Sequence, residues 1–239
     1  MRRRKRNIKL FFIAVVLLIT YVYNNYQSEF YSLLVKTNII KSYEIENLPK
    51  YSGEDYIIIN KNQPNFSEED KKNTNSFEEY SSLDVLKRAR TAYANIGKDL
   101  MPIEERGSIG MVKPTGWHTV KYDVVDGKYL YNRCHLIGYQ LTGENANEKN
   151  LITCTRNMNA NTMLRFEDKV AKYVKETNNH VLYRVSPVYE KLNLLATGVQ
   201  IEAYSVEDSG KGINFNVFIY NVQDGIEINY ENGESKLKK

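Results

Sequence analysis

Residues 131–167, YNRCHLIGYQLTGENANEKNLITCTRNMNANTMLRFE, concentrate the side chains that could do chemistry. One of only three histidines, His135, directly follows Arg133 and Cys134, and six asparagines lie between Asn145 and Asn161. Glu167 closes the stretch inside a helix-like run. A neutral imidazole can take a proton from water near pH 7. A guanidinium can clamp phosphate oxygens with two parallel hydrogen bonds. A hard divalent cation wants oxygen ligands and keeps most of its waters, so one asparagine amide completed by water is a legitimate magnesium site. A nearby acid can orient those waters without touching the ion. Together these residue types point to hydrolysis of a phosphate ester.

In that scheme His135 is the candidate base, Arg133 the candidate clamp and Asn159 the candidate metal ligand. Glu167 lies about two turns beyond Asn159 on one continuous α-helix, so it would face a similar side and hold the water shell of the ion. Asn150 could position the loop or a phosphate, and Arg156 is a further candidate for the substrate backbone. Each residue also has a plainer reading. A histidine at a strand end is more often structural, an asparagine run is usually loop, and a helical glutamate is usually solvated. Arg106, in EERGSIG, could reach a phosphate, but such an arginine more often pairs with Glu104 or Glu105. Cys134 and Cys154 are too few for a disulfide scaffold. They read as small packing residues beside the site, with pairing left open if the chain is exported. No cysteine or histidine spacing supports zinc.

The elements that must position these residues follow from pattern. Tyr56-Ile57-Ile58-Ile59 reads as a buried strand, and residues 67–82 as a polar loop. Leu83, Leu86, Ala89, Tyr93 and Ile96 form a helical stripe that Gly97 would cap. Residues 100–116 form a structured loop. Residues 117–125 and 128–132 look like two strands around an Asp126-Gly127 turn of type I′, which delivers His135 just after a hairpin strand. Residues 158–173 carry a helical pattern. Strand patterns follow at 180–189, 194–206 and 213–220, with a weaker one at 225–230 and a frayed polar tail after Asn232. The order is mixed, which implies an α+β fold with a largely antiparallel sheet. The 19 tyrosines suit half-buried strands better than base stacking.

At the N-terminus, six basic residues between Arg2 and Lys9 precede the apolar run LFFIAVVLLITYVY, the pattern of an export signal. No small-residue cleavage site follows, and Tyr21, Tyr23 and Tyr26 suit a membrane interface. The expected layout is a cytoplasmic tail at 1–9, a transmembrane signal anchor at 10–26, a stalk at 27–50, an outward-facing domain at 51–232 and a polar tail at 233–239. The formal charge of +4 comes from that basic cluster. The remainder is slightly acidic, so bulk charge does not announce a nucleic-acid partner.

The run RCHLIGYQLTG, the NxxN and NxN that follow, and the helix reaching FE resemble the DNA/RNA non-specific endonuclease family, which are ββα-metal, His-Me finger nucleases. The resemblance spans about residues 50–230. The family motif Asp-Arg-Gly-His stands here as Asn132-Arg133-Cys134-His135, keeping the arginine and histidine only. The resemblance implies a β-hairpin carrying the histidine and a helix carrying the metal, crossed over one Mg2+ or Mn2+ ion. It implies His135 as general base, Asn159 as metal ligand, Asn150 as the upstream asparagine and Glu167 as the downstream acid. Asn157 and Asn161 flank Asn159 closely, so that register could slip by two. The implied activity is sequence-non-specific cleavage of DNA, and of RNA as a further substrate, on the outer face of a membrane. The alternatives are an inactive nuclease-like surface protein that binds nucleic acid or a partner, and an anchored structural domain.

Overall fold

The computed structural model describes residues 9, 12–18, 20–21 and 42–238. No helix among the described residues is long and apolar enough to cross a membrane. The anchor expected at 10–26 falls largely on residues outside those described; residues 12–18 and 20–21 within it are helical.

The scaffold is a seven-stranded sheet. Its strands are β1 (Ser42–Tyr43), β2 (Tyr56–Ile59), β3 (Phe77–Tyr80), β4 (Ala92–Ile96), β7 (Val181–Val188), β8 (Gly198–Ser205) and β9 (Asn214–Tyr220). They lie in the order β1-β2-β9-β8-β7-β4-β3, antiparallel except for the β1–β2 pair. The long central strands alternate as strand pleating requires. Tyr183, Ala203 and Phe215 stand side by side, as do Val185, Ile201 and Val217. On that apolar face lies a helix, α2 (Leu164–Thr177), through Val170, Ala171 and Val174. A separate antiparallel pair, β5 (Tyr131–His135) and β6 (Leu151–Thr155), leads into α2 through a wider, π-helical segment at Met158–Met163. A short helix, α1 (Tyr139–Thr142), lies in the connection between β5 and β6. The α+β architecture and the later strands agree with the sequence reading.

Four local expectations are overturned. The stripe over 83–96 is not a helix. The Asp84 carboxylate accepts hydrogen bonds from the backbone of Leu86 and Arg88 and from the Arg88 guanidinium, which closes a turn. The chain then enters β4, whose Ala92, Ala94 and Ile96 join the main core while Tyr93 packs with Phe66 and Phe77 on the other face. A strand buried on both faces loses its alternation, and a spurious helical spacing takes its place. Residues 67–82 are not all loop, because β3 pairs with β4 along the sheet edge.

The hairpin carrying His135 also has a different partner. Residues 117–130 make one isolated bridge, Lys121 to Tyr129, and the ladder partner of β5 is the downstream strand β6. Gly127 and Lys128, rather than Asp126 and Gly127, take positive φ, so the turn is not type I′. Finally, the tail is not frayed. Residues Ser235–Leu237 form β11 against β10 (Ile226–Ile228), and within the expected stalk β1 pairs with β2.

Cys134 and Cys154 form a disulfide between β5 and β6, with both residues fully buried and Cα atoms 5.9 Å apart. This corrects the reading of two free packing residues. Cys134 stands opposite Ile152 and Asn132 opposite Cys154, so the two cysteines are diagonal neighbours on one face, and their spacing is ordinary for a bridge. Closing a loop of this size is worth about 3 kcal/mol. The Cys134→Ala/Cys154→Ala variant is expected to lose about 3 kcal/mol of stability in urea unfolding, with a larger m-value because the uncrosslinked unfolded chain is more expanded.

Candidate active site

His135 ends β5 opposite Leu151, and the chain after it is tied down at once. The Leu136 N–H donates to the Asn150 carbonyl at 2.8 Å. The Asn150 side-chain oxygen accepts from the Ile137 N–H at 2.9 Å, and its amide donates to the Ile137 carbonyl at 3.0 Å. Asn150 is fully buried. It therefore positions the loop, one of the two roles the sequence offered; both ends of its amide are spent on backbone, and these bonds do not support the other role, a contact with substrate.

The His135 ring is 6% exposed. Its Nε2 lies 2.7 Å from the Asn145 carbonyl. A carbonyl only accepts, so Nε2 carries the proton and Nδ1 holds the lone pair. The Arg106 Nη2 lies 3.4 Å from that Nδ1 and can only donate, which requires the same tautomer. Burial pushes the imidazole down to about 4; the Arg106 charge adds to this, and the bond to Asn145 opposes it. The ring is thus neutral at physiological pH, with its free nitrogen toward Arg106.

Glu167 is buried, not solvated, and heads the core-facing stripe of α2. It fits because residue 138 is glycine: a Cβ there would lie 2.4 Å from Glu167 Oε2. Burial pushes its carboxyl up to about 7, with the Arg106 charge among the opposing influences. The eight-residue spacing from Asn159 no longer equals two α-turns, since Asn159 sits in the π-helical segment.

That segment sorts the three asparagines. The Asn157 amide donates to Asp55 at 2.9 Å, and its oxygen accepts from Asn161 at 2.9 Å. The half-buried Asn159 side chain makes no hydrogen bond among the described residues. No group of three or more His, Cys, Asp or Glu suited to a metal exists among the described residues. A single free amide fits a hydrated, hard divalent ion.

The arginines are redistributed. Arg133 donates through Nε to the Val112 carbonyl and through Nη2 to the Gly110 carbonyl at 2.9 Å, and it stacks 4.0 Å from the Trp117 ring centroid. It pins the 110–117 loop, and its expected role as a free clamp is not supported by these bonds. Arg156 is paired with Asp126 at 3.1 Å. Arg106, set aside in the sequence as a partner of Glu104 or Glu105, is exposed and has no ion pair among the described residues. It is the cation that faces the imidazole. Its glycine-flanked loop was the available signal, but nothing local indicated which way it would point.

A hairpin with a neutral, tautomer-fixed imidazole, leading into a helix with a free amide and a buried acid, has the layout of a ββα nuclease core. Residues 67–207 match the DNA/RNA non-specific endonuclease family, and the chain belongs to it. It is 29% identical to a deoxyribonuclease of Streptococcus dysgalactiae subsp. equisimilis over 197 residues, 64% of this chain and 59% of that protein's length. Its fold matches NucA from Streptococcus agalactiae with magnesium bound, with a TM-score of 0.70 and 27% identity over 82% of this chain and 92% of NucA. It also matches the Sda1 nuclease with bound zinc, with a TM-score of 0.57 and 27% identity over 68% and 80% of the two chains.

Two measurements test this geometry. Asn150→Ala would leave the buried N–H and carbonyl of Ile137 without partners, and is expected to cost about 3 kcal/mol in urea unfolding. The second concerns pH. As pH falls below 6.5 the unfolded imidazole takes a proton, while the folded one resists until about 4. Acid therefore favours the unfolded chain across that window. Glu167 acts in the opposite sense between 4.5 and about 7, where the folded carboxyl keeps a proton that the unfolded one has lost. The difference between wild type and His135→Gln isolates the histidine. On going from about pH 7.5 to about pH 4, wild type should lose about 3 kcal/mol more stability than the variant.

Proposed function

We propose that this protein is a Mg2+-dependent, sequence-non-specific endonuclease that hydrolyses phosphodiester bonds of DNA. The observation that carries the reading is the fixed tautomer of His135, whose Nδ1 lone pair is held toward Arg106 in a neutral ring. In the proposed reaction, Nδ1 takes a proton from the attacking water as the new oxygen–phosphorus bond forms. The ester bond on the opposite side of the phosphorus breaks, the departing oxygen takes a proton from a neighbouring water, and the imidazolium then returns its proton to solvent. Arg106 swings from the imidazole to the phosphate oxygens, a charge-assisted contact for which it has no competing carboxylate. Arg133 acts one step removed, by holding the 110–117 loop.

The uncommitted Asn159 amide would hold the metal, and Asn157 and Asn161 are occupied with each other and with Asp55. A divalent cation bound there supplies positive charge for the phosphate and the departing oxygen. Glu167 orients the water around it. Mg2+ is the ion of this reading because one amide plus water suits a small hard cation, and Mn2+ would occupy the same place. The magnesium in NucA and the name of the streptococcal deoxyribonuclease support metal and substrate respectively. RNA is a second substrate to be tested in the same assay. The basic-then-apolar N-terminus supports an outward-facing signal anchor, and the buried disulfide supports an oxidising compartment.

The test incubates the full chain with supercoiled plasmid and Mg2+, with and without EDTA. Nicking that EDTA abolishes is the expected result, and it should weaken steeply with salt because phosphate contacts supply most of the affinity. His135→Ala should lower the rate at least about 100-fold with the fold intact. Asn159→Ala should raise the Mg2+ requirement, whereas Asn157→Ala should not; the reverse outcome would move the metal ligand by two residues.

A further inference from the structure

At one end of the sheet, four polar side chains meet that the nuclease reading does not use. The strands β3, β4, β7 and β8 are antiparallel neighbours, so β3 and β7 begin where β4 and β8 end. Ser76 precedes β3, Asp99 follows β4, His180 precedes β7 and Glu207 follows β8. The Glu207 carboxylate accepts from the His180 backbone N–H at 2.8 Å and from its ring Nδ1 at 2.6 Å. A carboxylate can only accept here, so Nδ1 carries the proton and the lone pair of the neutral ring is on Nε2. The Ser76 hydroxyl donates to Asp99 Oδ1 at 2.6 Å. Both pairs converge on Gly97. A Cβ there would lie 2.2 Å from Ser76 Oγ, 2.4 Å from Asp99 Oδ1 and 2.8 Å from His180 Nε2. Gly97 is not among the positive-φ glycines, so its backbone does not call for glycine. The space does, because a side chain at 97 would drive the imidazole and the carboxylate apart.

We propose that His180 Nε2 and the Asp99 carboxylate are the two protein ligands of a second cation site, one for Zn2+, with water completing the coordination. An imidazole nitrogen beside a carboxylate oxygen suits zinc, whereas magnesium takes oxygen ligands and water. Each ligand already has the outer partner that such a site needs. Glu207 fixes the tautomer and direction of the imidazole, and Ser76 holds the carboxylate. Asp99 is exposed and His180 half-buried, so an ion reaches both from solvent. Two ligands are fewer than the three-residue groups that are absent among the described residues, so this is a site that water shares. The ion joins the end of β4 to the start of β7 and, through the outer partners, draws in β3 and β8. Its role is to stabilise this end of the sheet, and it does not depend on the nuclease reading.

The test follows thermal unfolding of the full chain while Zn2+ is titrated in the presence of excess Mg2+, with zinc binding counted in parallel by equilibrium dialysis. At about ten times the half-maximal Zn2+ concentration, the wild type should melt about 3 °C higher or more. His180→Gln and Asp99→Asn, which keep the side-chain shapes, should each raise the half-maximal Zn2+ concentration at least about 10-fold and remove one bound zinc per chain. Gly97→Ala should do the same by crowding both ligands. Asp99 is exposed, so its variant reads the site even where His180→Gln unfolds. A wild type that zinc does not stabilise overturns the proposal. Zinc stabilisation that persists unchanged in the His180 and Asp99 variants also overturns it, because the ion then sits elsewhere. A chain that loses its zinc effect in these variants, yet does not nick plasmid with Mg2+, supports this site and overturns the nuclease reading alone.

Discussion

The two hydrogen bonds between the Asn150 side chain and the Ile137 backbone govern the geometry of the whole site. The groups they join are cut off from water, and a buried peptide group must find a partner somewhere. Asn150 is the partner, and because its own carbonyl also takes the Leu136 N–H, two consecutive residues after His135 are fixed. The chain can then leave β5 in one direction only. That direction carries Gly138 onto Glu167 and begins α1. The disulfide acts on the same hairpin one residue before the histidine, so His135 is clamped on both sides of its own peptide.

Within that frame, burial does the same thing to two groups of opposite charge type. It disfavours the charged form of each, so the imidazole is pushed down and the carboxyl up. Both lean toward neutrality, and Arg106 is a cation that acts on both. A site whose acid and base are muted while an unpaired guanidinium stands beside them presents positive charge locally, although the chain outside its N-terminal cluster is slightly acidic. Bulk charge and site charge are separate quantities, and an anionic substrate responds to the second.

The sequence made the main helix legible because it has one wet and one dry face, and the later strands because long β-branched and aromatic runs bounded by turn residues marked them, even where both faces are buried as in β9. Residues 164–177 show their period plainly. It misled at 92–96, where both faces are dry and alternation carries no polar contrast, and at 117–130, where a turn signal exists without a ladder behind it. Among the chemical residues, His135, Asn159 and Glu167 stood out by type and spacing. Their states did not, because exposure and tautomer are set by Gly138 and Asn145, residues with no chemistry of their own. Arg133 and Arg106 exchanged expectations for a related reason. Arg133 and His135 are two residues apart and share a face of β5, yet the Arg133 guanidinium is drawn to the Val112 and Gly110 carbonyls and the Trp117 ring, whereas Arg106, 29 residues away, is delivered to the imidazole by a loop.

The metal reading follows from a similar sorting by neighbours. Three asparagines at two-residue intervals look equivalent in sequence, yet two are consumed by each other and by Asp55, and the third is left free. An ion held by one neutral oxygen keeps most of its coordination positions for water and phosphate. Under the proposed function the protein would control that ion through its waters and not through direct bonds, which would shift the burden to how firmly the surrounding groups are oriented. A carboxylate sealed between a glycine and the core suits that task better than one at the surface, where it would be free to turn. On this view the burial of Glu167 and the tethering of the His135 loop are two parts of one requirement. A loosely held ion needs tightly held surroundings.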